Sequence, residues 1–103
     1  MRSDGRFVVV YRWRIKPGRE SDFARLWEAV TLAIRSGCES GGSALFRDED
    51  GTYVGIARWP DRETREQCSA ASPDDLEAMR DCVEQRYPEQ HLDLMMDHWT
   101  TSP

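Results

Sequence analysis

The chain has 103 residues and carries 14 basic against 19 acidic side chains, which leaves a formal net charge of −5. This length predicts one domain over residues 1–103, and the acidic balance argues against a nucleic-acid partner, because phosphates are bound by a basic face. No stretch approaches the roughly 20 apolar residues that cross a bilayer, so we expect a soluble cytoplasmic protein without a membrane partner.

The first predicted element is a strand over residues 7–15, because β-branched and aromatic residues dominate it and apolar and polar positions alternate towards its end. One face would carry Phe7, Val9, Tyr11, Trp13 and Ile15, and the other Val8, Val10, Arg12 and Arg14. Pro17 and Gly18 end the strand. An amphipathic helix is predicted over residues 19–36, where apolar side chains recur at three- and four-residue steps, and Gly37 closes it.

A β-hairpin is predicted next. Residues 43–47 and 52–59 are strand-like and flank the sequence Asp-Glu-Asp-Gly, and Asp-Gly between two such runs is typical of a tight turn joining antiparallel strands. Pro60 ends the second strand. Asp61 is suited to cap a short helix that reaches about Cys68, because its carboxylate accepts hydrogen bonds from first-turn amides.

The last third of the chain predicts a helix and a final strand. Ser72 is a capping residue, Pro73 has the backbone angle of a first helical position, and two aspartates follow at the positive end of the helix dipole. We expect this helix to continue to Tyr87 and Pro88. Residues 92–99 predict the last strand, with a helix as the alternative. Only residues 1–5 and 100–103 are expected to be tails.

This order, β-α-β-β-α-β, predicts an α+β ferredoxin-like fold in which a four-stranded antiparallel sheet has one face covered by the helices. The opposite face would carry Val8, Val10, Val54 and Ile56. That face is too apolar to remain in water, so we expect a homodimer formed through the open sheet face.

The cysteines indicate a redox compartment. Cys38, Cys68 and Cys82 are odd in number and widely spaced, and they form no C-x-x-C pair. That usage is typical of reduced thiols in the cytosol.

A resemblance to a known family rests on three stretches. They are residues 10–18 (VYRWRIKPG) with the amphipathic helix behind them, residues 50–54 (DGTYV) and residues 57–63 (ARWPDRE). Together they resemble the antibiotic biosynthesis monooxygenase family, over roughly residues 7–99. The resemblance implies a dimeric α+β barrel. It also implies an activity among those of the superfamily, which include oxygenation without a cofactor and haem degradation.

The quinone-forming oxygenases of that superfamily have an Asn four residues before a strand-ending Trp, then a Tyr in the next helix and an Arg in the helix after it. Here the Trp corresponds to Trp59 and the Arg to Arg80, whereas the Asn and Tyr positions hold Gly55 and Arg65. The resemblance therefore implies that Trp59 and Arg80 are the catalytic residues.

The haem-degrading members use an Asn, a Trp and a His. The corresponding positions here hold Tyr11, Cys68 and about Ala78, so none of the three residues is present. Because the sequence contains no asparagine at all, a shift in alignment supplies neither type of site. We therefore expect no haem.

Aromatic side chains are the candidate substrate-binding residues. Trp59 offers a flat ring on which an aromatic substrate can stack, although a Trp at a strand end often simply fills the core. Tyr11 and Trp13, on the same strand face, would either line the pocket with a phenol as donor or pack in the core. Trp27, on the apolar stripe of the first helix, allows the same two interpretations.

Arg80 is suited to pair with a phenolate or enolate oxygen, because guanidinium is a persistent cation with directed donors. The alternative is an ion pair with a carboxylate of its own helix, such as Asp81 or Glu84.

A metal site is not expected. His91, Asp93 and Asp97 would share one face of the last strand, but no second histidine lies there, so we interpret them as a solvent-exposed face. Neither a nucleophile–base pair nor a phosphate loop is recognisable. We expect a monooxygenase that oxidises a small aromatic or quinol-like substrate with O₂, without metal, flavin or other cofactor. The alternative is a homodimeric module that binds a small molecule, or is associated with stress, and has no catalysis.

Overall fold

The computed structural model of the protein describes residues 6–99, and the tails predicted at residues 1–5 and 100–103 lie outside that range. The elements of this range, in chain order, are β1 (Phe7–Ile15), α1 (Glu20–Gly37), β2 (Gly42–Arg47), β3 (Tyr53–Trp59), α2 (Arg62–Gln67), α3 (Pro73–Asp81), β4 (Val83–Arg86) and β5 (Gln90–Asp93).

The strands form one antiparallel sheet in the order β2-β3-β1-β4, and β5 also pairs with β1. β1 is central: it pairs with β3 from Phe7 opposite Trp59 to Trp13 opposite Tyr53. On its other edge, β4 pairs with residues 13–15 and β5 with residues 7–10. The α+β ferredoxin-like fold is confirmed, and its last strand is present as the two consecutive segments β4 and β5.

The alternation predicted for β1 organises the core. Its helix-facing side chains form two clusters with α1, α3 and β3. The first cluster contains Trp13, Ile15, Phe23, Leu26 and Cys82, and the second contains Phe7, Val9, Ala57 and Trp59. Tyr11 packs against both clusters. The phenol of Tyr11 therefore lies under the helices, where a cavity between helix and sheet can reach it.

The helix predicted from Ser72 to Tyr87 is shorter than expected. Its start is confirmed, because the Ser72 hydroxyl accepts a hydrogen bond from the amide of Asp75 and Pro73 opens the first turn. The helix ends at Asp81, and the backbone of Cys82 accepts a hydrogen bond from the Lys16 amide at 2.8 Å. Pairing with the end of β1 thus replaces further helical turns, and Val83 begins a strand.

The last strand lies earlier than predicted. β5 ends at Asp93, and residues 94–99 continue as irregular chain in place of the strand expected over 92–99. His91 and Asp93 belong to β5, but Asp97 lies beyond it and forms an ion pair with Arg58 at 3.0 Å. The three side chains therefore do not share a strand face.

Two of the three cysteines form a disulfide, so the expectation of three reduced thiols is wrong for Cys38 and Cys68. These residues are the C-caps of α1 and α2, whose ends the fold brings together with a Cα–Cα distance of 5.8 Å. That distance is ordinary for a disulfide. Cys82 is a free and fully buried thiol.

The open face of the sheet is apolar, as the sequence predicts. Side chains of β1, β2, β3 and β5 line a groove of about 440 Å³ on it; they include Val8, Val10, Phe46, Ile56 and Leu92. The irregular segment after β5 adds further apolar surface, because Met95, Met96 and Trp99 are each more than three-quarters exposed. Among residues 6–99, no helix is long and apolar enough to cross a membrane.

Candidate functional site

A cavity of about 280 Å³ lies between the helix-facing side of the sheet and the segment that contains α2. Its volume is just below the roughly 300–1,000 Å³ of ligand pockets, so it has room for one small molecule. The residues that line it are Tyr11, Ile34, Trp59, Arg65, Glu66, Cys68, Ser69, Ala70, Ala71 and Leu76. Two of the aromatic residues singled out from the sequence, Tyr11 and Trp59, therefore meet at one cavity.

Trp59 supplies an unused hydrogen-bond donor beside this cavity. It ends β3 opposite Phe7, and only 4% of its surface is exposed. Its indole Nε1 is shielded from solvent and has no hydrogen-bond partner among the described residues. Buried polar atoms are nearly always hydrogen-bonded, so an unpaired donor on a residue that lines a cavity is a candidate partner for an acceptor atom of a ligand.

Tyr11 is held by Arg65 of α2. Asp61 is the N-cap of α2, because its carboxylate accepts a hydrogen bond from the Thr64 amide at 2.7 Å, and Arg65 follows in the next turn. The Arg65 guanidinium donates to the phenol oxygen of Tyr11 at 2.9 Å. Because the phenol oxygen accepts this bond, its own hydrogen is available for donation to a ligand.

Glu89 fixes the position of Arg65. Arg65 Nη2 lies 3.0 Å from both carboxylate oxygens of Glu89, and Arg86 donates to the same carboxylate at 2.8 Å. Burial opposes ionisation of both groups. For Arg65 the hydrogen bond to Tyr11 and the charge of Glu89 outweigh burial and raise the pKa of the guanidinium. For Glu89 the hydrogen bond to His91 and the charges of Arg65 and Arg86 outweigh burial and lower the pKa of the carboxyl.

His91 and Arg62 extend this arrangement to the outer side of α2. Arg62 donates to His91 Nδ1 at 3.0 Å, so His91 carries its hydrogen on Nε2, which lies 3.0 Å from Glu89 Oε1. Arg62 also stacks over the ring of Phe7 with its Cζ atom 4.7 Å from the centroid. Polar contacts to β1, β5 and Glu89 thus orient both arginines of α2.

Trp13 occupies the space beside Gly55. A Cβ atom at Gly55 would lie 3.0 Å from Trp13 Cη2 and 3.1 Å from Cζ3. The Trp13 ring is stacked on Tyr11 with centroids 5.5 Å apart and meets the edge of Phe23. Trp13 therefore supports Tyr11 from behind, outside the cavity of Tyr11 and Trp59, and it lines a separate groove that also contains Arg80.

The structure does not bring Trp27 or Arg80 to the cavity. Trp27 is half-buried on α1 and lines a separate surface groove with Glu28 and Thr31. Arg80 is exposed on α3 and lines a groove of about 460 Å³ that also contains Met79. Leu76 lines both that groove and the Trp59 cavity.

Two residues of this site escaped the sequence reasoning. From the sequence, Arg65 is identified only as the residue at the position where the quinone-forming oxygenases carry a Tyr. That correspondence is the one sequence signal that its side chain reaches the site. Glu89 follows Pro88 in a short connection, and nothing in its local sequence marks it as the partner of Arg65. Within residues 6–99, no three His, Cys, Asp or Glu side chains are grouped to hold a metal ion.

Comparison with solved structures places this geometry in a known fold. A protein from Bordetella bronchiseptica assigned to the antibiotic biosynthesis monooxygenases is 18% identical, with a TM-score of 0.73 over 90% of this chain and 100% of its own. SnoaB, a cofactor-independent oxygenase from Streptomyces nogalater, is also 18% identical, with a TM-score of 0.72 over 89% of this chain and 95% of its own. The chain has the fold of the antibiotic biosynthesis monooxygenases.

The same fold also occurs in a conserved protein from Methanosarcina mazei Go1, which is 12% identical with a TM-score of 0.75 over 86% of this chain and 92% of its own. No family model matches the sequence, and no curated protein matches it significantly. At identities this low the likeness concerns the backbone, so the activity has to be argued from the side chains of the cavity.

Proposed function

We propose that the protein is a cofactor-independent monooxygenase whose Trp59 cavity binds a small aromatic or quinol-like substrate through an anionic oxygen. The observation that carries the proposal is that one cavity is lined by both Trp59 and Tyr11: the shielded Trp59 Nε1–H has no partner among the described residues, and the Tyr11 hydroxyl accepts from Arg65 and keeps its own hydrogen for a ligand. Two donors and aromatic walls suit a flat ligand that presents acceptor oxygens. The fold shared with a cofactor-independent oxygenase supports the reaction type.

The reaction that fits these groups is the oxidation of an activated methylene group to a carbonyl group. One oxygen atom of O₂ becomes the carbonyl oxygen, and the other leaves as water with the two hydrogens of the methylene carbon, so the substrate supplies all the electrons. Loss of the first proton to solvent leaves a phenolate or enolate. Donors aimed at the oxygen that bears this charge stabilise the anion and lower the barrier.

The side chains of the cavity divide this work. Tyr11 and Trp59 donate to the anionic oxygen, and Arg65 polarises the Tyr11 hydroxyl through its hydrogen bond at 2.9 Å. Glu89 keeps Arg65 in place. We assign the cationic role to Arg65 rather than to Arg80, because Arg80 lies outside the cavity.

The proposal includes a homodimer formed through the open sheet face. The groove of about 440 Å³ on this face is lined mainly by aliphatic and aromatic side chains. Leu92, Met96 and Trp99 beside it are 47%, 78% and 79% exposed, which is unusual for large apolar side chains on a monomer surface. A second copy related by two-fold symmetry would cover this apolar surface and form the dimeric barrel.

A non-catalytic binding module is the second candidate function. The observation in its favour is the Trp13 ring beside Gly55, which takes the space of the carboxamide expected in a quinone-forming oxygenase. In this alternative the same two donors bind an aromatic ligand, and no oxygen is consumed.

The test is oxygen uptake with dithranol, a dihydroxyanthrone, corrected for its oxidation without protein. Wild type should consume O₂ and form the quinone. Trp59→Phe and Tyr11→Phe should each lower kcat/KM by about 10²-fold, the usual cost of one such donor. Tyr53→Phe removes a phenol hydroxyl outside the cavity and should leave turnover unchanged. Tight binding of dithranol without oxygen uptake would support the binding module, and equal rates in all variants would refute the site.

A further inference from the structure

We infer that the Cys38–Cys68 disulfide is a redox-modification site that controls the Trp59 cavity, and that its co-reactant is a dithiol reductant. In the oxidised protein, the disulfide holds one wall of the cavity against α1. In the reduced protein, this wall is released. The inference rests on the proposed function for what the cavity binds, whereas the release of the wall can be measured without any ligand.

The disulfide is part of the cavity wall. Cys68 lines the cavity, and more than half of the other lining residues also lie in the segment 65–71. This segment contains the last turns of α2 and the irregular loop that leads to α3. Cys38 anchors it to the C-terminal end of α1, a helix whose Phe23, Leu26 and Val30 are buried in the core.

Without the disulfide, α2 has weak attachments. Each of its six residues is exposed or half-buried, so the helix contributes little apolar burial. The polar and ring contacts that hold it include the hydrogen bonds of Arg65 to Tyr11 and Glu89 and the contacts of Arg62 with His91 and Phe7. Polar contacts at a surface exchange readily with water, and segments held by them open far more easily than a core.

The wall is packed closely against α1 when the disulfide is present. At Gly37, the residue before Cys38, a Cβ atom would come within 2.5 Å of the Cβ of Ala70. The absence of a side chain at Gly37 therefore allows the loop to approach α1. Both disulfide cysteines are half-buried, so a small reductant can reach the bond from solvent.

The chemistry balances as a thiol–disulfide exchange. One thiolate of the dithiol attacks a sulfur of the Cys38–Cys68 bond, and the second displaces it to close the reductant's own disulfide. The protein bond is broken, two electrons and two protons pass to Cys38 and Cys68, and both become thiols. Cys82 takes no part, because it is fully buried near the start of α1, where it contacts Lys16 and Arg19, whereas Cys38 lies at the C-terminal end of that helix.

Amide hydrogen exchange, followed by mass spectrometry of the full chain, tests this inference. Wild type is compared before and after treatment with dithiothreitol, and the Cys38→Ser/Cys68→Ser double variant is measured in both conditions. Exchange in residues 62–71 should accelerate at least about tenfold on reduction, while β1, β3 and the first turns of α1 remain protected, at a level lowered only by the loss of global stability. The double variant should match reduced wild type without dithiothreitol and should not respond to it.

Binding of dithranol under anaerobic conditions is measured on the same four samples. Weaker binding by the reduced protein and by the double variant, by at least about tenfold, would support control of the cavity. Unchanged exchange in residues 62–71 would overturn the inference, and so would complete loss of protection throughout the chain, because the bond would then hold the whole fold. If exchange accelerates but no sample binds dithranol, the redox site stands and the proposed function fails.

Discussion

The substitution Gly55→Ala tests whether the Trp13 ring fills the space beside Gly55. The added methyl group would lie 3.0 and 3.1 Å from two atoms of the Trp13 ring and 3.5 Å from Trp27 Nε1. Gly55 does not belong to the glycines with positive φ among the described residues. Alanine at an ordinary backbone position would therefore stabilise the protein by about 0.4–1 kcal/mol, through the entropy of the unfolded chain.

Overpacking a core by one carbon atom costs about 1–3 kcal/mol, so the net effect of Gly55→Ala should be a loss of about 1–2 kcal/mol. The assay is urea unfolding followed by far-ultraviolet circular dichroism. The same substitution in a Trp13→Phe background should be neutral or stabilising, because phenylalanine lacks the two ring atoms in question. A stabilising effect of Gly55→Ala in the wild-type background, or the same loss in both backgrounds, would refute the placement of the Trp13 ring.

Three further predictions concern stability and assembly. Replacing Cys38 and Cys68 by serine should lower the free energy of unfolding by about 3–4 kcal/mol, because the disulfide closes a loop with a sequence separation of 30. A loss below about 1 kcal/mol, measured by thermal unfolding, would contradict a loop-closing role. The pKa of Glu89 is lowered in the folded protein. The contribution of its ionised carboxylate to the free energy of unfolding is therefore fully present above the ordinary pKa near 4.5, and it is lost as the pH falls through the lower pKa of the folded protein. Glu89→Gln should therefore cost about 1–2 kcal/mol at pH 7 and progressively less towards pH 3, and a cost independent of pH would contradict the assignment. Leu92→Glu should convert a dimer to a monomer in light scattering, whereas Leu32→Glu, at a similarly exposed leucine on α1, should not; a dimer that survives Leu92→Glu would exclude the open sheet face as the interface.

Local pattern was sufficient for the elements whose own residues decide their structure. β1 has the bounds expected from its alternation, because a period of two separates a buried face from a half-polar one whatever lies next to it. The starts of α2 and α3 follow from Asp61 and Ser72, whose side chains cap first-turn amides. These interactions span three residues, so they can be read from the sequence directly.

Long-range pairing decided the elements that were misplaced. Leu76, Met79 and Val83 recur at helical spacing, but Val83 pairs with Ile15 across the sheet, and that contact ends the helix. Cys38 and Cys68 are 30 residues apart, and only the approach of two helix ends shows that they meet. A count of cysteines cannot distinguish this pair from reduced thiols.

The candidate site was predictable in its aromatic part and not in its charged part. Trp59 and Tyr11 follow from strand register, since both lie on the helix-facing side of neighbouring strands. Arg65 and Glu89 are 24 residues apart and come together only because β5 returns along the edge of β1. Their ion pair therefore has no signature in the sequence around either residue.

The measurement that tests the central claim most directly is the indole NH resonance of Trp59 in a proton–nitrogen correlation spectrum. The resonance is assigned by its loss in Trp59→Phe, and dithranol is titrated in without oxygen. The Trp59 Nε1–H is unpaired in the described structure. If it donates to an acceptor oxygen of the ligand, its resonance moves downfield until the binding site is saturated, while the resonance of Trp27 does not move. A Trp59 resonance that does not move while dithranol binds elsewhere on the protein would contradict the proposed site.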